Sequence, residues 1–169
     1  AKAVRDLEDA RKQGFTADEV ARVIDVVRTI PGYEDIEAKD VEIGSTIYAN
    51  KPGDGSAREQ AASCQRVLGA LANITREYAT KRYRSNCMNW GMLPFQYAGN
   101  LDAFEIGDWI FVPGIRAALD GDLAHIDAYV IKDGAAKKIE LYIADMTEHE
   151  RAIVKAGCLI NYNRARNKR

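Results

Sequence analysis

In the run "TADEVARVIDVVRTI", apolar residues at Val20, Val23, Ile24 and Val27 recur at the three-and-four spacing of one helix face. Thr16 and Glu19 spell a T-x-x-E capping box before it, and Pro31-Gly32 ends it. Upstream, residues 2–13 carry charge at most positions with scattered Ala, Val and Leu. After "YEDIEAKD" the period changes. Residues 41–49 read as a strand, 56–71 as a helix with Ala, Cys, Val and Leu on its inner face, and "ANITREYA" as a second short strand. That order predicts a β-α-β unit with a loop at the carboxyl end of its first strand. Residues 81–90 read as a short polar helix closed by Gly91, "MLPFQY" as a third strand, and "FEIGDWIFV" as an alternating one. "HIDAYVIKDGAAKKIELYIADM" predicts a β-hairpin turning at Asp133-Gly134. Thr147 with Glu150 spells a further capping box before a last helix, "EHERAIVKAGCLINY", and a basic tail. The expected fold is α/β, a mixed sheet flanked by about four helices. It falls into two parts, an N-terminal helical appendage over residues 1–38 and a main domain over 39–169.

Composition narrows the partners. The 169 residues suit one ordinary domain, and 24 Lys and Arg against 25 Asp and Glu leave a net charge of −1. Nothing global points to nucleic acid or a membrane surface. The start lacks the apolar stretch of a signal peptide and no run has the length of a membrane span, so the chain reads as cytoplasmic. Cys64, Cys87 and Cys158 lie far apart with no C-x-x-C spacing, which encodes neither a disulfide framework nor a metal site. Each is expected as a small buried apolar side chain. His125 and His149 have no neighbours at metal-ligand spacing.

The stretch "GDGSAREQA" is where chemistry enters. Ser56 and Glu59 spell an S-x-x-E capping box worth about 1 kcal/mol. Capping does not call for the rest. Gly53 and Gly55 give a bare approach to a helix start, whose N–H groups and dipole attract an anion. Arg58 stands in the first turn, where the dipole disfavours a cation, and a guanidinium binds a carboxylate in bidentate fashion. The same donors would stabilise a serine alkoxide. The loop is therefore a candidate for holding a carboxylate and taking a proton from the carbon beside it. Gly-rich turns before helices also bind phosphates.

"GDGSAREQAA", then "YATKRYRSNCMNWGMLPF" and near the end "KAGCLINY", resemble the C-terminal swivel domain of the aconitase and isopropylmalate dehydratase superfamily. The corresponding family blocks read G-x-G-S-S-R-E-H-A-A, N-x-x-N-x-G-x-L-P-[LF] and A-G-G-x-L-x-Y. The match runs from about residue 41 to residue 162. The resemblance implies a swivelling β/β/α-type domain and a hydro-lyase that dehydrates and rehydrates hydroxy di- or tricarboxylic acids. It implies a 4Fe-4S cluster held by another domain or a separate large subunit, with no metal ligand in this chain. It also implies that the chain is inactive without that cluster-bearing part. Carried over residue by residue, the base that removes the substrate's α-proton falls on Ser56, and the carboxylate-binding arginine falls on Arg58. Gly55 and Ala57 complete the substrate contacts. Ala57 stands where the family has a second serine, leaving a backbone N–H, and Gln60 stands where it has a histidine. An upstream substrate arginine of the aconitases has no counterpart. Asn86, Asn89, Trp90, Gly91 and Pro94 are expected to be architectural, a helix stop and a strand start. An initial Ala in place of Met, with the helical appendage, suggests a piece of a longer chain.

A different class of reading is a binding or structural module. Arg76, Lys81, Arg82 and Arg84 with Tyr78 and Tyr83, and Arg164, Arg166, Lys168 and Arg169 at the end, form a conceivable RNA surface. A solvated helix face and a basic tail account for the same residues, and the neutral total charge favours that account.

Overall fold

The computed structural model describes residues 15–167; the charged run read over residues 2–13 and the last two tail residues lie outside them. The first helix, α1 (Ala17–Val27), forms where the apolar period placed it and buries Val20, Ile24 and Val27. Its capping box is made: the Glu19 N–H donates to Thr16 Oγ1 at 3.2 Å, and the Thr16 N–H donates to Glu19 Oε2 at 2.7 Å. Val27 and Ile30 pack with Ile131, beside half-buried Trp109 and Phe111.

Two three-stranded sheets follow. β1 (Ser45–Ala49), β2 (Ala70–Thr75) and β3 (Leu93–Gln96) are parallel in that order. They are connected by α2 (Arg58–Val67) and α3 (Lys81–Asn89). β4 (Trp109–Phe111), β5 (Ile126–Lys132) and β6 (Ala135–Leu141) are antiparallel. Between β4 and β5 lies the short helix α4 (Ile115–Ala118). The hairpin turns at Asp133 and Gly134, both at positive φ, as a two-residue turn that matches strand twist requires. The sheets meet through one antiparallel bridge between Gln96 and Tyr142, whose N–H···O distances are 2.7 and 3.0 Å. The mixed sheet foreseen in the sequence is therefore two sheets joined at an edge. Ile74 and Phe95 of the first share a core with Ala128, Val130, Ile139 and Leu141 of the second.

Three expectations are corrected. The helix expected over residues 56–71 is shorter: Gly69, at φ +88, breaks the chain and β2 starts at Ala70. Its inner face is Ala62 alone, packed by Tyr83, Cys87 and Met92, while Val67 and Leu68 are 81% and 74% exposed. Cys64 is exposed and Cys158 half-buried, leaving only Cys87 buried among the cysteines. Two residues past Ala62, Cys64 is turned about 200° around the helix, away from α3. The last helical run is two helices, α5 (Glu148–Lys155) and α6 (Leu159–Arg166), parted at Gly157, φ +87.

Candidate functional site

Beyond β1, the loop to α2 is fastened by its backbone to the chain leaving β2. The Arg76 N–H donates to Ala49 O at 3.3 Å, the Glu77 N–H to Asn50 O at 3.1 Å, and the Ala79 N–H to Pro52 O at 3.0 Å. Gly53 follows at φ +94, with the Tyr83 side chain 2.5 Å from where a Cβ would stand, so no other residue fits there. Its carbonyl accepts two hydrogen bonds, from Arg58 Nε at 3.2 Å and from the Thr80 hydroxyl at 3.1 Å. Thr80 is also the cap of α3, accepting from the Tyr83 N–H at 3.2 Å. The guanidinium is thus anchored through Nε, and its two Nη groups have no partner among the described residues.

Gly55, Ala57 and Arg58 line a cavity of about 320 Å³ whose walls also include Ile47, Pro52, Ala61, Gln65 and Tyr83. Ser56 lies between two of these lining residues in sequence but is not itself among them. It is exposed and makes no hydrogen bond to any described residue. Gln65 Nε2 donates to the Tyr83 hydroxyl at 2.9 Å, and Asn73 Nδ2 donates to the same oxygen at 3.2 Å and to Cys87 Sγ at 3.4 Å. Burial pushes the Cys87 thiol up to about 11 and also raises the Tyr83 hydroxyl, so both stay neutral at physiological pH. A larger groove of about 820 Å³ is walled chiefly by apolar side chains such as Val20, Leu71, Leu93 and Trp109 and contains none of the candidate residues.

The Ser56–Glu59 capping box does not form. The residue preceding α2 is Ala57, with no side-chain cap. Glu59 turns instead to α3, where Trp90 Nε1 donates to its Oε1 at 2.6 Å. The Asn86 amide, oriented by its neighbours, accepts from the Glu59 N–H at 3.0 Å and donates to Glu59 Oε2 at 3.3 Å and Arg82 O at 3.2 Å. Sequence reasoning took Asn86 and Trp90 as a helix stop and missed this. Their four-residue spacing sets the two on one helix face but carries no sign that Glu59 is their partner.

Among the described residues no group of three or more His, Cys, Asp or Glu gathers to hold a metal, and the three cysteines are free. That donor set does not fit an iron-sulfur cluster, which needs converging thiolates. His125 faces Glu140 at 3.1 Å, and His149 packs edge-on to Tyr162. The conceivable RNA surface loses its centre, because Tyr83 is buried and Arg84 is half-buried with its Nη2 donating to Ala144 O. No helix among the described residues is long and apolar enough to cross a membrane.

The sequence profile of the aconitase C-terminal domain matches residues 7–100. The chain belongs to the aconitase C-terminal domain family. It is 29% identical over 135 residues to aconitate hydratase A of Rickettsia conorii, which covers 76% of this chain and 15% of that protein. It is 38% identical over 72 residues to the homoaconitase small subunit of Thermus thermophilus, 42% of this chain and 44% of that one. The chain thus spans less than half the length of these curated relatives. The crystal structure of 3-isopropylmalate dehydratase from Methanocaldococcus jannaschii matches it with a TM-score of 0.52 at 25% identity, covering 86% of this chain and 87% of that one. In this aconitase C-terminal domain the three sequence blocks converge on α3. The first reaches it through Glu59. The third reaches it where Gly157 lies so close to Gly91 that a Cβ at 91 would overlap the Gly157 carbonyl.

Proposed function

We propose that this aconitase C-terminal domain is the closing half of a hydro-lyase acting on a hydroxy di- or tricarboxylic acid, with Ser56 as base and Arg58 as carboxylate clamp. The observation that carries the reading is the state of Arg58: Nε is fixed on the Gly53 carbonyl while both Nη groups stay unengaged at a cavity beside an unbonded serine. Two free Nη groups on a held guanidinium suit bidentate capture of a carboxylate. Gly55 and Ala57 line the same cavity and complete the substrate contacts. With the carboxylate held, Ser56 takes the proton from the carbon beside it; the C–H electron pair becomes the new double bond as hydroxide leaves the neighbouring carbon. The Arg58 guanidinium stabilises the serine alkoxide that accepts this proton.

The 4Fe-4S cluster used by the family is assigned to another domain or subunit, which makes the cluster-bearing part the principal partner and leaves this chain inactive by itself. Residues 39–169 then form the closing domain. Within the appendage of residues 1–38, α1 packs on β5 and β6, with Val27 and, just past the helix, Ile30 against Ile131.

Arg58→Lys in the assembled enzyme tests the clamp. Lysine keeps the charge but loses both the fork and the Nε–H bond to the Gly53 carbonyl, so KM for the accepted acid is expected to rise about 10- to 100-fold with a smaller change in kcat. An unchanged KM overturns the assignment.

A further inference from the structure

The start of α2 has to satisfy its free N–H groups. At three other helices a local threonine does this, while α4 and α6 start without a side-chain cap. Thr16, Thr80 and Thr147 are extended caps, each accepting from the N–H three residues on. Ser56 and Glu59 spell the same device as Thr16 with Glu19 and Thr147 with Glu150, yet the residue before α2 is Ala57, at φ −87 and ψ 44, outside the extended geometry a cap adopts. Both halves of the missing box are accounted for from α3. Asn86 accepts the Glu59 N–H that the serine would have taken, and Asn86 and Trp90 between them hold the two oxygens of the Glu59 carboxylate.

We infer that Asn86 is a positioning residue that caps α2 from outside and so keeps the Ser56 hydroxyl free of the helix. This rests on the reading of Ser56 as the base. A helix N–H donating to the serine oxygen withdraws electron density from it and pins it to the helix start, so a cap taken from α3 leaves that oxygen more basic and free to turn to the substrate proton. The Arg58 anchor is separate: its Nε bond runs to the Gly53 carbonyl, which Thr80 and not Asn86 supports. Loss of Asn86 therefore bears on proton transfer and leaves carboxylate capture alone.

The test is Asn86→Ala in the assembled enzyme, read by steady-state kinetics on citrate, isocitrate, 3-isopropylmalate and homocitrate and by a crystal structure of the variant. The expected result is a kcat lowered roughly five- to tenfold on whichever acid is turned over, with KM within about twofold of wild type. In the crystal, Ser56 Oγ is expected within hydrogen-bond distance of the Glu59 N–H. Asn86→Gln, which keeps an amide oxygen for that N–H and an amide N–H for the Glu59 carboxylate, is expected to hold kcat within about threefold, leave Ser56 free, and serve if the alanine variant does not fold. KM and kcat moving together, or Ser56 staying unbonded in the alanine variant while kcat falls, overturns the inference. Failure of the base reading looks different: Ser56→Ala then leaves the rate untouched, whereas the position of Ser56 Oγ still decides the role of Asn86.

Discussion

The Gly53 carbonyl takes the Arg58 guanidinium and the Thr80 hydroxyl at once, and the Tyr83 side chain lies against the same residue's α-carbon. Beneath it, Tyr83, Asn73 and Cys87 form a buried polar group whose thiol burial pushes up from 9.0 to about 11. In the unfolded chain that thiol ionises near 9.0 while the folded one keeps its proton. Above pH 9 the unfolded state therefore binds fewer protons, and stability falls as pH rises. The slope contributed by Cys87 approaches about 1.4 kcal/mol per pH unit between the two values. Urea unfolding at pH 7, 9, 10 and 11 should show this decline, and Cys87→Ala should be less steep; equal slopes would contradict a buried neutral thiol. At this scale the sequence was legible where partners are three residues apart. The boxes at Thr16 and Thr147 form as spelled. The identical spelling at Ser56 does not form, because the competing donors and acceptor come from residues 86 and 90, and no local pattern reports a contact across that separation.

Among elements, α3 is the one that all three sequence blocks touch. Gly91, just beyond its end, sits at φ +74 with the Gly157 carbonyl in the place of a Cβ. Both partners are backbone, so neither can swing aside. Gly91→Ala is expected to cost more than about 2 kcal/mol in thermal or denaturant unfolding, from left-handed strain plus the displaced α5–α6 junction. Gly107→Ala, at φ +98 with open space around it, isolates the strain alone and should cost about 1 kcal/mol. Equal losses at the two positions would mean that the Gly91–Gly157 approach carries no stability. The strands and the Asp133-Gly134 hairpin were readable because a period of two and a turn dipeptide are local signals. The break at Gly157 and the exposed Val67 and Leu68 were not. Helical periodicity runs on through a glycine, and an apolar residue in a helical run gives no report of whether a neighbour covers it.

For the whole molecule, the sequence blocks reached the family and the α/β class, while the division into two sheets joined through Gln96 and Tyr142 depends on strand pairing across the chain. The cavity at the start of α2 pairs an anchored, half-engaged Arg58 with Gly55 and Ala57, and the described residues beside it gather no metal-binding group. On the reading proposed above, this surface binds a carboxylate and holds a proton acceptor, and a cluster-bearing partner supplies the other half of the dehydration site. The most direct test is the dehydration rate of the assembled enzyme with Ser56→Ala, followed on its accepted hydroxy acid. The expected result is a kcat reduced at least about 100-fold, with KM little changed and the fold intact by circular dichroism. A Ser56→Ala enzyme that turns over at the wild-type rate would contradict the role given to this loop.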